Sequence, residues 1–242
     1  MSQLAWTRPP GITHPVVVLL HGWAGDRGVW ERSGLADALR EAGVTVLAPD
    51  LPGHAGSVEL RVPIGRDPSA WAADAVAADL VALRVTDCAV VGFAEGGMVA
   101  GHLATSGQVP ITGLGLVSSD DRGLPLQAGQ AADALRDPSA RVWTPEAADL
   151  VARVRARRDH DPEVLATWLE RARWPSAARL GAVPMPVLVA TGTDDPLRQR
   201  APKLAALFRD GHLATAPGAG EDVLGAAELH TAIVSFLASG RR

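Results

Sequence analysis

Tyrosine is absent from the 242 residues, phenylalanine occurs three times, and aromatic residues make up only 4% of the chain. Cysteine is nearly absent too: Cys88 is the only one, which excludes an internal disulfide. At the start of an apolar run it reads as a packed thiol rather than a nucleophile. No segment approaches the unbroken apolar length of a membrane span. The opening MSQLAWTRPPG lacks the basic and apolar regions of a secretion signal, so the expectation is a soluble cytoplasmic protein that uses no membrane. Positive charge is short as well, with 23 Lys and Arg against 27 Asp and Glu and a formal net charge of -4. That balance gives no general electrostatic footprint for nucleic acid. The local exception is Arg153, Arg155, Arg157 and Arg158, whose acidic flanks predict a solvated helix face. There is no H-E-x-x-H cluster, no G-x-G-x-x-G and no phosphate-loop lysine, so neither a metal nor a nucleotide cofactor is expected.

What is present suits one large α/β domain, since 47% of the residues are apolar and the chain is long enough to bury a sizeable core. Strand candidates at Val16–Leu20, 44–47, 88–91, Ile111–Val117, 187–191 and 212–216, most of them largely apolar, alternate with helical patterns. The helices are expected over about 30–40, 70–83 (capped by Ser69), 201–208 and 223–238, with another carrying Met98, Val99 and Leu103 and ending near Gly107. Strands of this kind indicate a mostly parallel sheet covered on both faces. From about 123 to 179 the rhythm changes. Pro125, Pro138, Pro145, Pro162 and Pro175 separate short helical pieces, and Trp143, Trp168 and Trp174 are concentrated there. A stretch of that size is not bare loop and reads as a small helical cap. The resulting division is 1–122 and 180–242 for the core and 123–179 for the cap insertion.

The most informative stretch is VVGFAEGGMVAGHL, residues 90–103, which reads as strand, tight glycine-rich bend and helix. It looks like the nucleophile elbow of the α/β-hydrolases, G-x-S-x-G, written here Gly92-Phe93-Ala94-Glu95-Gly96. Three more segments carry the resemblance in the right order: His21-Gly22-Trp23 after the first core strand, Asp50–Ser57 for the D-x-x-G-H-G-x-S loop, and Gly192 with Asp195 for the triad acid. Gly218 and Gly220 match the turn before the triad histidine. The chain thus resembles the single-domain, helical-cap α/β-hydrolases over roughly residues 12–238. The resemblance implies the α/β-hydrolase fold: a mostly parallel central sheet flanked by helices, with a small helical cap.

Motif matching puts Ala94 where the family carries its nucleophile and Glu221 where it carries the triad histidine. A methyl group cannot attack a carbonyl, so only Asp195 of a serine triad remains. By the same resemblance, the backbone amides of Glu95 and Trp23 would face developing negative charge. His21, Gly22, Trp23, Phe93 and Ala94 would line a ligand pocket. Glu221 would lie at its mouth near Asp195, and two carboxylates held close repel, which suits one of them to give or take a proton. Glu95, beside the bend, either lines the pocket or reaches the cap. His21 and Asp50 read as groups that fix their own loops. These assignments point to an enzyme without a Ser-His-Asp triad. It would act on a small, largely apolar organic substrate by acid/base chemistry and oxyanion stabilisation, as a cyclase, lyase, isomerase or decarboxylase. The alternatives are an inactive relative that binds a small ligand or a partner protein, and an ester hydrolase whose triad lies elsewhere. The sequence leaves the oligomeric state open.

Overall fold

The computed structural model describes residues 4–7, 9–120 and 127–239. Six strands form one all-parallel sheet: β1 (Val16–Leu20), β2 (Thr45–Leu47), β3 (Cys88–Phe93), β4 (Ile111–Val117), β5 (Val187–Gly192) and β6 (Gly211–Ala216). Their order is β2-β1-β3-β4-β5-β6. β1, β3 and β5 are buried along their whole length, as expected of Val- and Leu-rich strands covered on both faces. The order reverses at β1: the chain leaves it for β2 on one side, then returns to lay β3 on the other. The connections leaving the carboxyl ends of β1 and β3 therefore diverge and open a crevice, the usual ligand position in open parallel sheets.

The helices are α1 (Val29–Arg32), α2 (Leu35–Glu41), α3 (Pro68–Ala82), α4 (Gly96–Ser106), α5 (Ala128–Arg136), α6 (Pro145–Arg155), α7 (Pro162–Arg171), α8 (Ala177–Gly181), α9 (Ala201–Ala205) and α10 (Ala227–Ser239). The single helix expected over 30–40 is split, because Gly34 takes φ +77 between α1 and α2. α3 is capped by Asp67, whose carboxylate accepts from the Ser69 and Ala70 amides. Ser69, the expected cap, instead donates its hydroxyl to Asp67 and to the Arg173 carbonyl. α9 is shorter than the pattern suggested, and a 3-10 turn at Gly220–Gly225 replaces the first turns of the expected last helix.

Buried side chains fall into two clusters, one on each face of the sheet. The first joins Val18, Val90, Leu114 and Val189 to α3 and α4 and continues into Ala131, Leu165 and Trp168 of the helical insertion. The second joins Val17, Val91 and Ala190 to α2 and α10. The insertion thus has no core of its own. Trp168 is fully buried and Trp174 packs against the same cluster, whereas Trp143 is 67% exposed and stacks under the Arg141 guanidinium. The expected start of the insertion, with Pro125, lies outside the described residues. No helix among the described residues is long and apolar enough to cross a membrane. Loss of the α3 cap by Asp67→Ala should lower stability by about 1 kcal/mol, read as a shift of the urea midpoint at unchanged slope.

Candidate active site

The crevice between β1 and β3 is built by two very close backbone approaches. A Cβ at Gly92 would strike the Gly96 carbonyl, and one at Gly96 would strike the carbonyls of Leu20 and His21. Only glycine lets the chain turn from β3 into α4 and lie against the end of β1. Ala94, at the apex, takes φ +48, a left-handed conformation that a residue with a Cβ rarely adopts. Its amide donates to Val117 O at 2.9 Å and its carbonyl accepts from the Gly97 amide at 2.9 Å, so the bend is held from both sides. Gly22 lies directly across the crevice, where a Cβ would sit 3.3 Å from the Ala94 methyl.

One polar contact spans this gap. The Trp23 amide donates to Glu95 Oε2 at 3.1 Å, with Glu95 half-buried. The Glu95 amide carries no hydrogen bond among the turn, loop and cap bonds of the described residues. The Trp23 indole turns the other way and donates to Leu165 O in α7 at 3.0 Å. The Trp168 indole of α7 returns a bond to Pro52 O at 3.2 Å, and the Asp161 amide donates to Gly53 O. Arg61 pairs with Asp161, and Arg157 reaches across to Asp26 at 2.6 Å. Burial opposes ionisation of Asp26, yet hydrogen bonds from Arg32 and Arg157 hold its carboxyl well below the usual carboxylate range. The expected solvated arginine face is therefore corrected at Arg157, which is half-buried and clamps the insertion to the core. Arg153, Arg155 and Arg158 are exposed.

Three buried imidazoles line the seam behind this contact, with ring centroids 5.0 Å apart for His21 and His54 and 5.2 Å for His54 and His160. His21 Nε2 accepts from the Leu51 amide and His54 Nε2 from the Ala24 amide. Each ring must then carry its hydrogen on Nδ1, which donates to Gly22 O and Pro52 O respectively. Both rings are neutral in this arrangement. Burial depresses the pKa of His21, and burial together with the neighbouring imidazoles drives that of His54 well below the ordinary histidine value. The buried His160 ring has no hydrogen-bond partner among the described residues, its Nδ1 lying 3.4 Å from Asp159.

The α/β-hydrolase family model matches residues 17–231. The chain belongs to the α/β-hydrolase family. Its relatives include the 2-succinyl-6-hydroxy-2,4-cyclohexadiene-1-carboxylate synthase of Klebsiella pneumoniae, 30% identical over 201 residues that cover 83% of this chain and 69% of that protein. The enzyme of the same name from Escherichia coli K12 is 35% identical over 134 residues, covering 55% of this chain and 48% of the relative. Among solved structures, MenH of S. aureus superposes with a TM-score of 0.75 over both whole chains at 20% identity. An esterase of Thermogutta terrifontis gives 0.76 at 22% identity, covering 99% of this chain and 94% of the other. At these identities the likeness to solved structures is one of fold.

Within this α/β-hydrolase frame the expected site residues separate. Gly22, Trp23, Ala94 and Glu95 converge on the crevice. His21 is fully buried with both ring nitrogens bonded, so it braces its loop and offers no atom to a ligand. Phe93 is buried with the second core cluster, on which Ala94 also packs, and its ring lies against Gly22, where a Cβ would meet it at 3.1 Å. Asp195 is buried and accepts from the Leu197 amide at 2.8 Å, holding the turn after β5. Glu221 is exposed on the 3-10 turn, beside a shallow depression formed with Arg32, Ser33 and Asp222. The turn that carries Asp195 is bonded to the turn before Glu221, the Asp194 amide donating to Gly218 O at 3.2 Å. Asp50 accepts from the Arg27 and Gly56 amides, as its loop-fixing role requires.

Ser119 has a position that the sequence did not signal. Its hydroxyl lies under the bend and donates to Ala94 O and Val117 O, each at 3.2 Å. No described serine or cysteine is hydrogen-bonded to a histidine. Cys88 is buried far down β3, where burial pushes its thiol up to about 12.

The neutral histidines have a consequence for stability. In the unfolded chain each titrates near 6.5, whereas in the fold it resists protonation, so below that pH only the unfolded state gains the proton. Stability contributed by His21 and His54 is present above about pH 6.5 and is lost as pH falls, by at most about 1.4 kcal/mol per pH unit for each ring. Urea unfolding at pH 7.5 and 5.5 should show this loss, and His54→Gln should make the pH dependence shallower.

Proposed function

We propose that this chain is an enzyme that has left ester hydrolysis for proton-transfer chemistry on a small, largely apolar carbonyl compound. The observation that carries the reading is the pairing, across the β1–β3 crevice, of an unreactive methyl at Ala94 with a carboxylate at the Trp23 amide. Ala94 stands where the family carries its nucleophile, so an acyl-enzyme is not available. What remains is a place for an oxygen that gains negative charge, between the amides of Trp23 and Glu95, and a carboxylate beside it to move a proton. Lyase, cyclase, isomerase and decarboxylase reactions all need those two functions. The relatives named above are synthases by name, not esterases, which supports this class. Arg61, Arg157 and Arg200, around this end of the sheet, already hold Asp161, Asp26 and Asp120. That matching favours a substrate with little charge.

In this reading Glu95 is the proton-transfer group. Asp195 keeps the turn after β5 in place, and Glu221 stands at the rim, where an exposed carboxylate is poorly sited for a substrate held beneath the insertion. A second reading, a non-catalytic relative that binds a small ligand, is favoured by one observation: the Trp23 amide already has an internal acceptor.

The test measures solvent-deuterium uptake into a panel of neutral ketones. Glu95→Gln should lower the rate roughly 100-fold or more, Glu221→Gln should leave it within about threefold, and 4-nitrophenyl acetate should not be cleaved above background. Ligand binding without any turnover would establish the second reading. Release of nitrophenol by the unmodified protein would sink the first.

A further inference from the structure

We infer that His160 is a proton-operated latch on the insertion. Neutral, it packs against His54 and keeps the corner between α6 and α7 on the core; protonated, it turns out to Asp159 and releases that corner. The ring is fully buried, and both of its nitrogens lack a hydrogen-bond partner among the described residues. It meets the His54 ring edge-on, at 5.2 Å and 70°. The backbones of the two histidines also form an antiparallel bridge, and the next amide, that of Asp161, donates to Gly53 O at 2.9 Å. His160 therefore sits where the insertion meets the loop after β2 through both main chain and ring. α7 begins at this corner and holds the Trp23 indole through Leu165 O, so the latch bears on the loop after β1 as well.

Neither neighbouring ring can serve His160. His54 uses Nε2 to accept from the Ala24 amide and Nδ1 to donate to Pro52 O, and His21 is committed in the same way to the Leu51 amide and Gly22 O. The carboxylates around the seam are taken too. Asp26 holds Arg32 and Arg157, and Asp50 holds Arg27 and the Gly56 amide. Asp161 holds Arg61 and caps α7 through the Glu163 and Val164 amides. A neutral imidazole leaves one N–H unpaired here; the protonated ring would leave two and add a full charge, and a buried charge without an acceptor is far costlier than a buried polar group. The acceptor lies just outside. Asp159 is 52% exposed, and its Oδ1 stands 3.4 Å from His160 Nδ1 without the alignment of a hydrogen bond. Hydrogen bonds from Arg157 hold the Asp159 carboxyl below the usual carboxylate range, so it is ionised and ready to accept. A turn of the imidazolium toward Asp159 makes that bond and brings the charge to water, with loss of the packing on His54.

The test is hydrogen–deuterium exchange of the full chain at about pH 7.5 and 5.5, the interval over which an imidazole ordinarily changes charge, with rates corrected for the intrinsic pH dependence of exchange. Peptides covering 157–165 report on the corner, and peptides covering 96–106 in α4 carry whatever is lost globally through His21 and His54. On going to the lower pH, the corner of the unmodified protein should speed up by about tenfold more than α4. His160→Leu fills the seam with a side chain that takes no proton, and in it that excess should fall below about twofold. His160→Gln serves the same purpose if the leucine variant does not fold. Asp159→Asn should cut the excess by about threefold or more, because the charged ring loses its acceptor. His21 and His54 are present in all these variants, so an excess that survives the loss of His160 belongs to them and overturns the proposal. A corner that speeds up no more than α4 in the unmodified protein overturns it too, as does an excess unaltered by Asp159→Asn.

Discussion

The carboxyl end of the sheet depends on how closely the backbone of Gly96 lies to the carbonyls of Leu20 and His21. That approach brings the bend after β3 against the loop after β1, and every polar contact of the crevice follows from it. It fixes Ala94 in a left-handed conformation, places Gly22 opposite its methyl, and puts Glu95 within reach of the Trp23 amide. The geometry is held by main-chain bonds and by the missing side chains of two glycines. It therefore persists although the residue at its apex has no reactive group. Strain of this kind clusters at functional sites.

Around that bend the loops are tied by neutral imidazoles used as acceptors. His21 and His54 each take one backbone N–H and return one hydrogen to a carbonyl, joining the loops after β1 and β2 into one rigid floor. The insertion is fastened to the same floor by two tryptophan N–H groups, the Asp161 amide and the Arg157–Asp26 pair. α7 thus packs onto the floor, and Trp23 serves both sides: its ring holds the insertion and its amide faces the crevice.

The fold was readable because strand identity rests on unbroken runs such as Val16–Leu20, and burial on both faces demands nothing else of the sequence. The bend was readable for a similar reason, since Gly92 and Gly96 are imposed by contacts that no other residue allows. Direction of side chains was not. Glu221 follows a 3-10 turn into solvent. Arg157 sits in a run of arginines that local charge alone makes look solvated, and its partner Asp26 lies 131 residues away. The cap of α3 passed from Ser69 to Asp67 because Pro68 can occupy the first helical position, which needs no amide hydrogen. Ser119 reads in the sequence only as a serine just past β4, because nothing local distinguishes a hydroxyl bonded to the backbone of a distant turn.

The first buried cluster runs without a break from β3 and β4 into α5 and α7. A Cβ at Gly53 would collide with Val164 and Leu165 of α7, so even the loop after β2 is shaped to the helix above it. The helices after β4 and the loop after β2 are therefore shaped to one another, and a side chain added at Gly53 would need a smaller residue at Val164.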